Sequence, residues 1–296
     1  MYNKALRPKN YMFVLLLGPG IIWYIFAVIA PMLSSLRYSF FSFKGVRISD
    51  FVGLANYKEL VSDSIFWISL KNNIVITILC VAGQIGIALI FAMLLNTAYV
   101  KFKNLHRAFI FFPGVLSTII VGFIWTIMYN SDYGLINFFL KLLKLDFLIL
   151  PWLDDPKLVL FFVCVPIIWQ YIGYYMVIIM AGMSNISKDI YEMSEIDGVT
   201  GMQKLVYITM PLIKNTLIVC LMLCISGNMQ VFDYIFIMTG GGPGTSTSVM
   251  AMYGYSKTFT QFRIDYGNTI SVGILVISLV IILITKRLIG GRKADG

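Results

Sequence analysis

The chain is short of charge. Asp, Glu, Lys and Arg make up only 12% of its 296 residues, against roughly 25% in an ordinary soluble domain. A single soluble core also stops growing near about 250–300 residues, so this deficit excludes a large water-soluble fold and calls for an apolar solvent. Histidine is almost missing: His106 is the only one, and it sits in the basic turn "KFKNLHR". That leaves a histidine-based metal site or proton relay without stations. There are 4 cysteines, all inside apolar runs, which excludes a disulfide framework and predicts buried free thiols. Cys220 and Cys224 share a helix face, but two soft ligands alone do not make a metal site. No G-x-x-x-x-G-K-[ST] occurs; "GGGPGTSTS" is rich in glycine but lacks the lysine that would reach a phosphate. The net charge of +9 is not gathered into a basic stripe interleaved with aromatics, so it makes no case for nucleic acid.

What the chain has instead is long uncharged runs. Spanning a bilayer takes about 20 mostly apolar residues, and six stretches qualify, at about 11–36, 72–97, 108–130, 158–183, 211–233 and 266–286. They predict an all-α polytopic membrane protein, with residues 1–296 as a single transmembrane domain. The first run follows Lys4, Arg7 and Lys9 but exceeds the core of a cleaved signal and has no small-residue cleavage site. It reads as a retained span, with kinks predicted at Pro19 and Pro31. Lys and Arg are denser in the segments that lie inside if the N-terminus is cytoplasmic, which predicts both termini in the cytoplasm of a bacterial cell. Leu135 to Leu143 has helical apolar spacing and is expected to lie on the membrane surface.

The fourth and fifth runs are separated by a polar stretch, "EMSEIDGVTGMQKLVYITMP", inside a loop at 187–211. Ser187 can cap a short helix with Asp189 in its first turn. Ile190, Met193 and Ile196 form a narrow apolar stripe with Glu192 and Glu195 beside it, and Gly198 suits a left-handed cap. Thr200 with Gln203 reads as a capping box opening a second short helix, which ends at Pro211 where the fifth span begins. Helix, glycine, helix on the cytoplasmic side is either an ordinary loop or a plug for a cleft on another protein.

The segment "YEMSEIDGVTGMQKLVYITMPLIKN" resembles the EAA loop of ABC-importer permeases. Glu192, Asp197, Gly198, Ile208 and Pro211 match that pattern; Met193, Ser194 and Val199 stand where the family has alanine. "FVGLANY", "NSDYGLIN" and "FDYIFIMTGGGPG" are similar to segments of its carbohydrate-uptake branch, the maltose and glycerol-phosphate permeases. The resemblance implies a type I importer permease that translocates a carbohydrate, an oligosaccharide in the first instance. Its expected partners are a second, homologous permease, two ATPase subunits and an extracellular solute-binding protein. ATP and Mg would be bound by the ATPase and no cofactor by this chain, so the chain is not itself an enzyme. Docking on the ATPase would fall to Glu192, Glu195, Asp197, Gly198 and Pro211.

Polar side chains at membrane depth usually face a cavity or a partner helix. The fourth span offers Trp169, Gln170, Tyr171, Tyr174 and Tyr175, and the fifth Asn228, Gln230 and Asp233, as a solute path. By resemblance to the maltose permease, Trp169, Tyr174 and Asn228 occupy sugar-lining positions. The other reading of the same groups is hydrogen bonding between helices and an interfacial aromatic belt. Two rivals remain in view. An ion-gradient-driven transporter would need more acids than Asp233 near membrane depth. A membrane enzyme would need paired catalytic groups, and the adjacent Asp154 and Asp155 read as a solvated turn.

Overall fold

The computed structural model describes residues 10–97, 100–199 and 201–290. Among these the chain is mostly helical, with one antiparallel hairpin, Phe41–Lys44 paired with Arg47–Phe51. Four helices are long and apolar enough to cross a membrane: Met12–Tyr38, Ser64–Asn96, Val159–Ser184 and Ile264–Ile289. Two further pairs, Lys103–Val115 with Thr118–Met128 and Lys204–Leu212 with Lys214–Met229, qualify only together and bend by 94° and 75°. The six hydropathy runs are thus four continuous helices and two broken ones.

The differences from the expected boundaries have local causes. The second helix starts at Ser64 rather than 72, and Lys71 lies within it with its side chain exposed; a long basic side chain can reach out of apolar surroundings. Between Pro19 and Pro31 the first helix widens into a π-turn, Ile25–Ile29, in which the Ala30 amide bonds Ile25 O. Proline at 31 has no amide to contribute to that ladder. In the third run Pro113 sits in the 3-10 turn Phe112–Val115, Leu116 and Ser117 are extended, and the helix resumes at Thr118. Pro211 does not open the fifth span. It belongs to the turn Met210–Leu212, and the break follows at Ile213. The span ends at Met229, and Asp233 starts a separate helix, Asp233–Met238. Leu135–Leu142 is helical as expected.

The chain forms two compact units. The first holds the described residues up to Asp63 together with Gly254–Gly273. Buried Asn56 ties its turn together by donating to Ser39 O at 2.9 Å and Phe41 O at 3.2 Å. Arg263 grips Glu59 with both terminal nitrogens at 2.7 and 2.8 Å, and Tyr266 donates to Asp63 at 2.5 Å. The Arg263 guanidinium holds the Glu59 carboxyl below the usual carboxylate range, and Glu59 in turn raises Arg263.

The second unit, Ser64–Tyr253 with the residues from Ile274, is built around the Val159–Ser184 helix. Pro166 inside that helix leaves the carbonyl four residues back, that of Phe162, without an amide. Tyr129 supplies the missing donor at 3.1 Å. Buried Asn73 joins two helix ends: its amide donates to Asn228 O and Met229 O at 3.1 and 3.3 Å, and its oxygen accepts from Met250 N at 2.8 Å. Met229 O stands at the C-terminal end of one helix and Met250 N is the first orphan amide of another, while Asn228 O also accepts from Val231 N. At Gly173 the helix touches a neighbouring backbone: an added Cβ would stand 2.3 Å from Ile110 O and 2.5 Å from Phe111 Cα. Cys80, Cys164, Cys220 and Cys224 are buried free thiols.

Candidate functional site

Two places in the second unit carry the groups singled out in the sequence. The first is a cleft of about 360 Å³. The Val159–Ser184 helix contributes Ile167, Tyr171, Tyr174 and Tyr175 to it, a spacing that keeps all four on one face. Leu223, Gly227 and Asn228 enter from the last turns of Lys214–Met229, and Gln230 to Tyr234 from the link and the start of the next helix. Thr118 comes from the resumed third span and Gln84 from the π-turn Val81–Ile85.

The breaks create this cleft. The helix ends at Met229, and Gln230 from the link and Asp233 from the next helix line the opening. Asp233 stands in the first turn of its short helix, where the helix dipole favours an anion, and accepts the Thr118 hydroxyl at 2.5 Å. Gln230 is exposed to the opening and Tyr171 is half-buried.

Other polar groups are committed inward. Gln84 donates to Ile167 O at 3.0 Å and accepts from Cys224 Sγ at 3.1 Å. Asn228 donates to Cys224 O at 2.8 Å. Gln170 is buried and does not line the cleft: it donates to Leu116 O at 2.7 Å and accepts from Tyr234. It thereby satisfies the carbonyl exposed by the break before Thr118. Trp169 also lies outside the lining, packed edge-on against Trp125 at 6.0 Å. Of the eight residues expected in the path, Tyr171, Tyr174, Tyr175, Asn228, Gln230 and Asp233 are brought together. Gln84 and Thr118 were not anticipated. Gln84 carries a signal in retrospect, as the lone amide between Ile74 and Leu95.

The second place is the polar loop. A helix runs Lys188–Ile196, directly after Ser187, with Asp189 in its first turn. Gly198 has φ +70°, and Val199 N bonds Ser194 O at 3.0 Å. That is a Schellman cap, which needs a left-handed residue at this point and stops the helix sharply. On the buried side Ser194 bonds Tyr191 O at 2.6 Å, and Lys204 sits over the Tyr191 ring at 5.5 Å. On the other side Ile190, Met193 and Ile196 are 38%, 65% and 86% exposed. Glu192 and Asp197 are exposed next to them. Thr200 and the Glu195 side chain lie outside the described residues. Gly201–Gln203 and the π-segment Lys204–Thr209 follow, then the turn holding Pro211.

Comparison with known proteins covers most of the chain. Residues 69–290 match the family described as the binding-protein-dependent transport system inner membrane component. A protein named as a probable ABC transporter permease of Pyrococcus horikoshii is 34% identical over 271 residues, 91% of this chain and 92% of the relative. The arabinooligosaccharides transport system permease of Bacillus subtilis is 28% identical over 297 residues, 100% of this chain and 92% of the relative. Among solved structures, a chain of a bacterial ABC transporter for import of the acidic polysaccharide alginate superposes with a TM-score of 0.82 at 23% identity, covering 97% of each chain.

Proposed function

The chain belongs to the family of binding-protein-dependent transport system inner membrane components, and on that premise we propose that it translocates carbohydrate through an ATP-driven importer. The observation that carries the motor half of this reading is the capped helix Lys188–Ile196. It projects an exposed apolar stripe and flanking acids from a loop between membrane helices, and it ends on a rigid glycine turn. A lever of that kind suits a cleft on a separate ATPase, with ATP and Mg held there. Relatives named for arabinooligosaccharides and for alginate support sugar as the cargo.

In this reading ATP-driven closure of two ATPase subunits pushes the docked helices. This chain and a homologous permease rock against each other, and a cleft half is contributed by Tyr171, Tyr174, Asn228, Gln230 and Asp233. Aromatic faces stack on sugar C–H surfaces while amides and hydroxyls exchange hydrogen bonds with hydroxyl groups. Trp169 and Gln170 act at one remove: the first extends the aromatic wall, and the second holds the break at Leu116. The solute arrives from an extracellular binding protein. Residues 1–296 work as one permease in a bacterial plasma membrane, with both termini and the docking loop, Glu195 and Pro211 included, on the cytoplasmic side.

The test is Gly198→Asp. A side chain at φ +70° strains the cap and redirects the helix end. The expected outcome is normal membrane insertion, loss of ATPase co-purification and no ATP-dependent sugar uptake in proteoliposomes. Uptake at the normal rate would refute the docking assignment.

A further inference from the structure

Among the described residues the cleft carries one formal charge, that of Asp233, and is lined by no lysine, arginine or histidine. Thr118 occupies only one oxygen of that carboxylate, at 2.5 Å. An ionised carboxylate has about four acceptor positions, so capacity remains for hydroxyl donors from a ligand. The remaining polar groups there are neutral, chiefly Gln230, Tyr171 and Tyr174. Clefts lined by one sign of charge between low-dielectric walls focus the field of that charge, and like charges brought within a few ångströms repel strongly where water is scarce.

Resting on the carbohydrate reading above, we infer that Asp233 makes this cleft selective for uncharged or cationic sugars and against sugars carrying a carboxylate. A neutral sugar donates hydroxyls to the free lone pairs of Asp233. An amino sugar adds an opposite charge. A uronic acid offers acceptors where an acceptor already stands and places a second negative charge beside the first. Selectivity is a difference between affinities, and a single unfavourable charge placement of this kind is worth roughly tenfold or more.

The experiment is saturation-transfer NMR on the purified, nucleotide-free transporter complex without its binding protein, so that the selectivity read is that of the membrane part. The probes are maltotriose, trigalacturonate and the trimer of glucosamine. The expected order is glucosamine trimer equal to or tighter than maltotriose, with trigalacturonate at least tenfold weaker. In Asp233→Asn, which keeps an oxygen for Thr118, the gap between maltotriose and trigalacturonate shrinks to under threefold. In Thr118→Val, which keeps the charge, the gap persists. Equal binding of the three trimers by the unaltered complex, or a gap unchanged in Asp233→Asn, overturns the inference. Binding of none of them overturns the carbohydrate reading itself, together with the inference built on it.

Discussion

The cleft and the proposed docking helix, Lys188–Ile196, treat polar and apolar groups in opposite ways. Around the cleft, buried amides are consumed in repairing helix ends. Gln170 serves the carbonyl of Leu116, and Asn73 joins a helix C-terminus to the start of Met250–Tyr255. On Lys188–Ile196 the apolar side chains face outward and the acids beside them are exposed. In hydrocarbon an unsatisfied backbone group costs several kcal/mol, so a helix can break there only if a side chain replaces the lost bond. Outside it, water satisfies the backbone and side chains are free to await a partner. The same sequence signal, a polar residue near an apolar run, therefore means scaffold in one place and readiness for contact in the other.

The largest effect that would break this contrast is expected at Gly173. A Gly173→Val change drives a branched side chain into Ile110 O and Phe111 Cα, a destabilisation of about 3 kcal/mol or more. Size-exclusion profiles of the detergent-extracted complex should show loss of the monodisperse peak. Next comes Gln170→Leu, which strands Leu116 O and the Tyr234 hydroxyl. At about 1–3 kcal/mol for each unsatisfied buried group, the unfolding temperature should fall by several degrees. If it does not, the amide is free to serve a ligand and the contrast fails.

The docking helix should respond the other way. Met193→Ser combined with Ile196→Ser is expected to leave thermal stability within about 0.5 kcal/mol, as for exposed positions elsewhere. Titration with the ATPase should show affinity lower by tenfold or more, since these changes remove apolar surface worth about 0.8 kcal/mol per buried CH₂. A drop in stability with unchanged affinity would place the stripe in an internal interface. The smallest effect belongs to the exposed pair in the first unit. Glu59→Gln should cost under about 1 kcal/mol, because solvent screens such pairs. The folded-state carboxyl lies below its unfolded value, so the stabilisation is present above the ordinary glutamate range and lost as pH falls through the depressed value. Stability curves of the two proteins should therefore converge on acidification.

Hydropathy made the long apolar helices legible because burial in lipid demands apolar length, and that demand is written residue by residue; four of the runs are continuous helices and two are bent pairs. It did not locate the breaks. The break after Pro113 was not expected, and Pro211 misplaced the start of the fifth run, since a proline is tolerated in the turn Met210–Leu212 and the chain departs only at Ile213. The glycine cap of the Lys188–Ile196 helix was readable because its φ requirement is local. The cleft was largely readable: Tyr171, Tyr174, Tyr175, Asn228, Gln230 and Asp233 converge, whereas Gln170 and Trp169 turn away. Facing is decided by how neighbouring helices rotate, and a single sequence does not state that. Gln84 was missed because the π-turn that aims it has no compositional mark.

The contact at Gly173 reaches beyond stability. With no side chain between two backbones, the residue permitted at 173 and the course of the chain at 110–111 are one choice. Among descendants of this sequence, any lineage that acquires a larger residue at 173 should carry a compensating change near Pro113, and the two positions should drift together or not at all.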